Sequence, residues 1–389
     1  MATKYSEGLL AVKYRTVAED GHSLGGPFYY IELGMGKNFK WLAKIFAFFG
    51  VCVGLFGIGT FSQVNGISSA VHGFFDPNDA FTVKILPFLG EYSWSVVIAS
   101  LILSFCVAAV LIGGVKRIAS VSQIIVPFMA VIYFVFAVIL ICCNITKVPA
   151  AFATIVTAAF SPKAITGGAV GSMLIAMQKG VARGIFSNEA GLGSAPIAAA
   201  AAQTNSPVRQ GLVSMTGTFI DTIIICTLTG LSIVLTGAWQ VEGLEGVQVT
   251  TYAFQHGLPF PAQFSSFILM LCLVFFAFTT ILGWDYYSER CLEYLSGGNM
   301  KHVKIFRWIY ILAVFIGPYM TVSAVWTIAD IFNGLMAIPN MIALFALSGV
   351  IVKETRAFFQ HAKEEARAEH RSFEEVCEEN LNEEEAPAN

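Results

Sequence analysis

The most informative stretch of the sequence is an apolar segment with a polar centre, GSMLIAMQKGVARGIFSNEAGLGSAPIAAAAA, at residues 171–202. Glycines interrupt it in four places, and a Ser-Asn-Glu triplet occupies residues 187–189. A membrane helix unwinds only where protein or a wet cavity surrounds its backbone. Ser194 and Pro196 are typical of the cap and first turn of a new helix. We therefore expect the helix to break at Ser187–Gly193 and to restart.

A restarted helix inside a membrane predicts a binding site. Its first N–H groups are unpaired and carry a partial positive charge, which favours an anionic group. Broken helices of this kind mark the substrate sites of secondary transporters. The alternative is that the glycines only allow close helix packing. Packing explains the glycines but not the polar triplet.

The composition indicates a membrane protein. The chain has 56% hydrophobic and 13% charged residues, whereas soluble domains have about 25% charged residues. The Lys and Arg residues form no nucleic-acid footprint. The eight cysteines form no CxxC pair and the six histidines show no ligand spacing, so we expect no organic cofactor, disulfide or metal cluster. An enzyme would need paired carboxylates or such a cluster, and we expect none.

Apolar runs long enough to cross about 30 Å of hydrocarbon recur along the chain. Eight spans are predicted, at 41–70, 93–114, 118–143, 168–202, 208–237, 262–288, 304–322 and 324–352. Lys and Arg are concentrated in alternate connections, which places the C-terminus in the cytoplasm. We expect a multi-pass protein of the plasma membrane, which in a bacterium is the inner membrane. The membrane domain is expected at 1–355 and an acidic cytoplasmic tail at 356–389.

The run at 262–288 contains a candidate sodium site. Thr279 and Thr280 are adjacent hydroxyls, and the carbonyl of Phe276 lies one turn earlier. Neutral oxygens on an intact helix facing a broken one suit Na⁺. The alternative is that both hydroxyls bond back to carbonyls of their own helix. Trp284, one turn beyond Thr280, is a candidate floor for a small pocket.

Other polar side chains lie within the predicted spans. Gln63 is a candidate for recognising a substrate carboxylate or amine, or for bonding between helices. Lys179 and Arg183 share a helix face and need partners at membrane depth. Asp221 and Asp285 are the candidate partners.

Taken together, the chain resembles the alanine or glycine:cation symporter family. The matching strings cover nearly the whole chain to about residue 355. They are MATKYSEGLLAVKYR (1–15), GGPFYYIELGMG (25–36), KGVARGIFSNEAGLGSAPIAAAAA (179–202), DTIIICTLTGL (221–231) and DIFNGLMAIPN (330–340). The resemblance implies an all-α polytopic fold of the leucine-transporter type, with two inverted repeats of five helices.

The resemblance also implies the site. Thr279, Thr280 and the Phe276 carbonyl would contribute to a Na⁺ site. The amino-acid pocket would be lined by Gln63, Phe186, Ser187, Asn188, Thr280 and Trp284. The implied activity is symport of a small neutral amino acid, alanine or glycine, with Na⁺ as the coupling ion and the lipid bilayer as surroundings.

One departure from the family pattern concerns the N-terminus. In the family, the string MATKYSEG lies late in the second helix, so the resemblance implies that the first helix and part of the second are missing. Two alternatives remain open. One is a truncated, transport-inactive fragment, and the other is a proton-coupled amino-acid transporter, since Glu189 can carry a proton.

Overall fold

Helices make up nearly all of the computed structural model, which describes residues 1–18, 21–84, 91–159 and 169–382. The first seven are α1 (Ala2–Lys13), α2 (Pro27–Tyr29), α3 (Lys40–Phe56), α4 (Phe61–Phe75), α5 (Trp94–Leu111), α6 (Gly114–Cys143) and α7 (Val148–Ala159). Nine more follow: α8 (Ala169–Asn188), α9 (Ala195–Ala199), α10 (Pro207–Thr236), α11 (Val247–Gly257), α12 (Ala262–Leu295), α13 (Met300–Ile316), α14 (Val322–Ala346), α15 (Ser348–Ala368) and α16 (Phe373–Asn382).

The connections contain short irregular elements. Two antiparallel strand pairs join β1 (Thr16–Val17) to β2 (Ser23–Leu24) and β3 (Thr82–Lys84) to β4 (Glu91–Ser93). π-Helical turns occupy Tyr30–Gly34 and, within α10, Phe219–Cys226; 3-10 turns occupy Lys37–Phe39, Ile145–Lys147, Ala238–Gln240 and Gly317–Tyr319. The all-α prediction is therefore confirmed for the described residues.

Within the described ranges, six helical segments are long and apolar enough to cross a membrane. They are Lys37–Phe75, Trp94–Leu111, Lys116–Cys143, Pro207–Thr236, Ala262–Leu295 and Val322–Ala346. They correspond to six of the eight predicted spans. The run at 304–322 lies in α13, which ends at Ile316 and has 17 residues. The run at 168–202 is divided between α8 and α9, and its first residue lies outside the described residues. Many large apolar side chains point outward, among them Phe105, 75% exposed, as expected of a multi-pass membrane protein.

Helix α12 lies at the centre of the molecule. It packs against α3, α4, α6 and α13, and Trp284 at its middle is only 1% exposed. Small residues let the neighbouring backbone approach closely. An added Cβ at Gly50 would lie 2.5 Å from the sulfur of Cys291. Trp284 is therefore held in a tightly packed core, whereas Phe276 on the same helix is 48% exposed.

The segment that joins α3 to α4 is a helix break that the sequence did not predict. The run expected at 41–70 is interrupted at residues 57–60, called here the α3–α4 break. The Thr60 hydroxyl donates to the Gly54 carbonyl, and Tyr310 donates to the Gly59 carbonyl at 3.1 Å. Hydroxyl groups thus satisfy carbonyls that the interrupted helix leaves without N–H partners.

The described C-terminal region consists of the two helices α15 and α16, the second of which ends at Asn382. Helix α15 packs on α1, where Lys13 forms a 2.7 Å ion pair with Glu354 and Tyr5 bonds to Thr355. The predicted boundary at 355/356 falls inside α15. Pro339 lies inside α14, and that helix ends at Ala346 rather than at residue 352, where the predicted span ends.

Candidate functional site

The break predicted within the run at 168–202 is present between α8 and α9. Residues 189–194, called here the α8–α9 break, are not helical. Glu189, Gly191 and Gly193 have φ of 55°, 91° and 84°, in the region that glycine adopts freely and other residues rarely do. The prediction placed Ser187 and Asn188 in the break. The structure keeps both at the end of α8, because regular backbone bonding continues as far as Glu189 N–H, which donates to the Ile185 carbonyl.

A buried carboxylate holds the α8–α9 break in shape. Glu7 of α1 is fully buried. Its Oε1 accepts the N–H groups of Gly191 and Gly193, at 3.1 and 3.2 Å, and the Asn340 amide at 2.7 Å. Asn340 also donates to the Gly191 carbonyl at 2.9 Å. Backbone groups released by the break therefore regain partners from α1 and α14.

A second carboxylate ties the same break to α12. Glu189 accepts the indole N–H of Trp284 at 3.0 Å and the hydroxyl of Ser194 at 2.7 Å. Ser194 was predicted to cap the restarted helix. It occupies the N-cap position of α9, but its hydroxyl bonds to Glu189 and caps no N–H. Trp284 thus contacts the break directly, and its place beside a substrate stays a prediction.

The predicted residues at the end of α8 face α10 and α14. Ser187 donates to Asp221 at 2.7 Å and Asn188 donates to Thr222 at 3.1 Å. The ring of Phe186 lies 4.9 Å from that of Trp326. The first two contacts bring the polar residues of α8 to the π-helical part of α10.

The two threonines of the predicted sodium site both bond back to their own helix. Thr279 and Thr280 donate to the Phe276 carbonyl at 2.9 and 3.0 Å. This is the alternative that the sequence left open. It also gathers the three predicted ligand oxygens. The two hydroxyl oxygens keep lone pairs that can face a cation, whereas the Phe276 carbonyl already accepts both hydroxyls. Thr279 is 9% exposed and Thr280 is half-buried.

Gln63 bonds within the α3–α4 break, where its amide donates to the Ile58 carbonyl at 3.1 Å. The neighbouring Asn65 donates to the Met320 carbonyl at 2.9 Å. The bond of Asn65 joins two helical segments, and the bond of Gln63 is local. A substrate-binding role for Gln63 stays a prediction.

The prediction that Arg183 of α8 pairs with Asp221 or Asp285 is wrong. Arg183 pairs with Asp330 of α14, and its guanidinium lies 4.2 Å from the ring of Trp326. Asp330 lies 147 positions away in sequence, and helix spacing gave no indication of it. The pair joins the broken helix to α14.

One histidine lies close to two carboxylates, although the spacing of the histidines in the sequence did not indicate a ligand group. His72 lies near Asp76 and Asp79, and ligand atoms of the three residues lie within 4.8 Å of one another. The hydroxyl of Ser93, followed by the Ala80 N–H, lowers the pKa of Asp76 below its ordinary value. These bonds stabilise the loop after α4 around an ionised carboxylate.

Comparison with known proteins decides the family. The model of the sodium:alanine symporter family matches residues 1–372. An uncharacterized transporter of Haemophilus influenzae is 53% identical over 93% of this chain and 75% of its own length. The sodium/alanine symporter AgcS of Methanococcus maripaludis is 44% identical over 94% and 76%. The probable sodium/glutamine symporter GlnT of Bacillus subtilis is 35% identical over 93% and 70%.

The chain belongs to the sodium:alanine symporter family. As a member, it is a membrane transporter that performs sodium-coupled amino-acid symport, and it is not an enzyme. A match that runs from residue 1 to 372 does not bear out the expected N-terminal truncation. The resemblance seen in the sequence is confirmed at the level of the family.

Sequence reasoning missed several residues that shape this symporter's α8–α9 break. Glu7 and Asn340 lie inside the strings that carried the resemblance, but they are 333 positions apart and each has an ordinary local setting. Only the tertiary structure shows that both bond to the break. The one available signal was Glu7 itself, an acidic residue within the polar N-terminal string SEG.

Proposed function

We propose that this family member imports a small neutral amino acid, alanine or glycine first, together with Na⁺. The observation that supports this most is the contact between the α8–α9 break and α12. The indole of Trp284 reaches Glu189 in the break, and the oxygens at positions 276, 279 and 280 lie one to two turns earlier on the same helix.

The proposed pocket lies between these elements. Trp284, Phe186, Ser187, Asn188 and Thr280 would line it, with Gln63 contributing from α4. Two aromatic side chains leave little room for a long substrate side chain, which favours alanine and glycine over glutamine. Hydroxyl and amide groups would orient the zwitterion.

The proposed cation site uses Thr279, Thr280 and the Phe276 carbonyl. Na⁺ bound there would hold α12 in the arrangement that contacts the break, so that each ligand favours the same conformation. Such coupling is reciprocal: Na⁺ raises the affinity for the amino acid and the amino acid raises that for Na⁺.

The proposed architecture is two inverted repeats of five helices, of the leucine-transporter type, in which α8 and α9 form one broken helix. Residues 1–355 would form the transport unit and 356–389 an acidic tail. The asymmetry of Lys and Arg supports a cytoplasmic C-terminus, with the protein in the bacterial inner membrane.

Uptake into proteoliposomes tests the proposal. The full chain is reconstituted and labelled alanine is supplied with an inward Na⁺ gradient or with choline in its place; unlabelled glycine and glutamine compete. We expect Na⁺-driven uptake that glycine inhibits more strongly than glutamine. Uptake of equal rate in choline, or stronger inhibition by glutamine, would contradict the coupling ion or the substrate respectively.

Thr280→Val tests the cation site in the same assay. Loss of one ligand oxygen should raise the Na⁺ concentration for half-maximal uptake by roughly tenfold, equivalent to about 1.4 kcal/mol. The matched control is Thr251→Val, because Thr251 in α11 makes the same bond to a carbonyl four residues earlier, at 3.0 Å. An unchanged Na⁺ dependence in Thr280→Val would remove this residue from the site.

A further inference from the structure

Asp285 is a buried carboxylate that does not pair with Arg183, which binds Asp330 instead. It follows Trp284 in α12 and is 0% exposed. Neither of its oxygens has a hydrogen-bond partner among the described residues. A buried carboxylate is normally paired, because an isolated charge in a low-dielectric interior costs a great deal of free energy. Asp285 therefore needs a neutralising partner.

The cations nearest to Asp285 are already paired. Arg307 of α13 binds Glu289 through two bonds of 2.6 and 2.9 Å. Arg290 pairs with Glu293 at 2.7 Å and contacts His22. The ring nitrogen of His22 also lies 3.2 Å from Glu293 and adds a positive charge only when it is protonated. Three carboxylates thus share two guanidinium groups, which leaves one negative charge over if Asp285 is ionised and His22 is neutral.

The other groups around Asp285 are neutral. Tyr310 of α13 faces it and donates to the carbonyls of Ile281, at 2.8 Å, and of Gly59. The charged groups that act on Asp285 are Glu289, Arg290 and Arg307. Helices α3 and α4 add none among the described residues at this point, so no other cation there compensates an ionised carboxylate.

The α3–α4 break shields this region from water. An added Cβ at Gly59 would lie 2.6 Å from Cβ of Trp284, and one at Gly54 would lie 1.7 Å from the Ser288 hydroxyl. Contact this close leaves no layer of water between the break and α12. The contact of residues 54–60 with residues 284–288 is called here the seam. Asp285 stays buried as long as the seam is closed.

We propose that Asp285 is a proton-binding site of the transport cycle. Its carboxylate takes one proton from water while the seam is open and becomes a neutral carboxylic acid, which the closed seam then buries. A proton neutralises the group without further ligands, whereas hard metal cations take several oxygen atoms. The transport measurements that test this inference rest on the proposed function. The inference adds a proton, as a second cation, to the proposed Na⁺-coupled symport.

The sign of the pH effect follows from linkage. Protonation is favoured where the group is buried, so low pH favours the closed seam and this preference is lost as pH rises. The ratio of closed to open seam then falls by up to about tenfold per pH unit, the limit for one proton. Proton binding and seam closure are therefore reciprocally coupled.

Infrared spectroscopy of the purified full chain in lipid tests the proton directly. We expect wild-type protein at neutral pH to show a carbonyl stretch of a protonated carboxyl group that Asp285→Asn lacks. Asp330→Asn is the matched control and should keep the band, because Asp330 is paired with Arg183. Asp285→Glu should shift the band, and this variant replaces Asp285→Asn in the test if Asp285→Asn does not fold. A wild-type spectrum without the band, or one that Asp285→Asn leaves unchanged, overturns the proposal.

Two further measurements separate the remaining outcomes. With a fixed Na⁺ gradient, the pH dependence of initial uptake should become flat in Asp285→Asn; a wild-type profile in this variant overturns the proposal. Thermal unfolding in NaCl and in choline chloride should respond to Na⁺ equally in both proteins. Stabilisation by Na⁺ that Asp285→Asn loses would assign sodium to the site and overturn the proton. Uptake indifferent to Na⁺ would contradict the proposed function but leave the infrared result intact.

Discussion

The two helix breaks of this transporter are stabilised in different ways. In the α8–α9 break, buried or half-buried carboxylates accept N–H and O–H groups: Glu7 from α1 and Glu189 from the break itself. In the α3–α4 break, hydroxyls of Thr60 and Tyr310 donate to carbonyls, and glycines pack on α12. The first break therefore depends on two carboxylate side chains, while the second depends mainly on close packing.

The largest effect should come from Glu7→Ala. It leaves two buried N–H groups and the Asn340 amide without their acceptor, and each unsatisfied group costs about 1–3 kcal/mol. We expect thermal unfolding at a much lower temperature and loss of uptake. Glu7→Gln, which retains an acceptor oxygen, should be milder. Equal stability of Glu7→Ala and wild type would show that the break does not depend on this carboxylate.

The next effect should come from overfilling the seam between residues 54–60 and 284–288. Gly54→Ala places a methyl group 1.7 Å from the Ser288 hydroxyl, and overpacking costs about 1–3 kcal/mol. Ser288→Ala in the same chain should restore part of the stability. Gly66→Ala in α4 is the control, since an added Cβ there meets no atom within 4 Å. A neutral Gly54→Ala would mean that the seam has room.

Trp284→Phe tests the bond that joins the α8–α9 break to α12. It removes the indole N–H that Glu189 accepts, and hydrogen bonds to charged groups contribute about 1.5 kcal/mol or more. We expect a roughly tenfold slower initial uptake of alanine. Trp308→Phe, an exposed position on α13, should leave uptake unchanged. Similar rates for both variants would separate Trp284 from transport.

The smallest effect should come from Thr60→Val. One neutral hydrogen bond is lost, which costs about 1 kcal/mol, and neighbouring carbonyls keep other partners. Thermal unfolding in the same detergent or lipid measures it beside Glu7→Ala. A loss as large as that of Glu7→Ala would remove the distinction drawn between the two breaks.

Sequence reasoning found only one of these breaks, for a physical reason. Polar residues at 187–189 and glycines at the middle of the span are costly in a lipid-exposed helix, so they indicate the α8–α9 break. The segment at 57–60 contains Gly-Ile-Gly-Thr, which is compatible with a continuous packed helix. The family and the all-α membrane fold were evident from the sequence because long exact strings and apolar length are local properties.

The parts of the site that could not be predicted depend on long-range contacts. Glu7 meets the break 184 residues away, and Arg183 meets Asp330 rather than an acid nearer in sequence. Helix periodicity says which residues share a face but not which helix that face meets. The threonine pair is the opposite case. Its bonds to the Phe276 carbonyl are local and were one of the two alternatives seen in the sequence, whereas its binding of Na⁺ stays a proposal.

Calorimetric titration of alanine into the purified full chain tests the coupled site most directly. The titration is done in NaCl and in choline chloride, on wild-type protein and on Thr280→Val. We expect tight binding by the wild type in NaCl, weak binding in choline chloride, and a much smaller difference between the two salts for Thr280→Val. Equal alanine affinity of the wild type in both salts would contradict the proposed coupling.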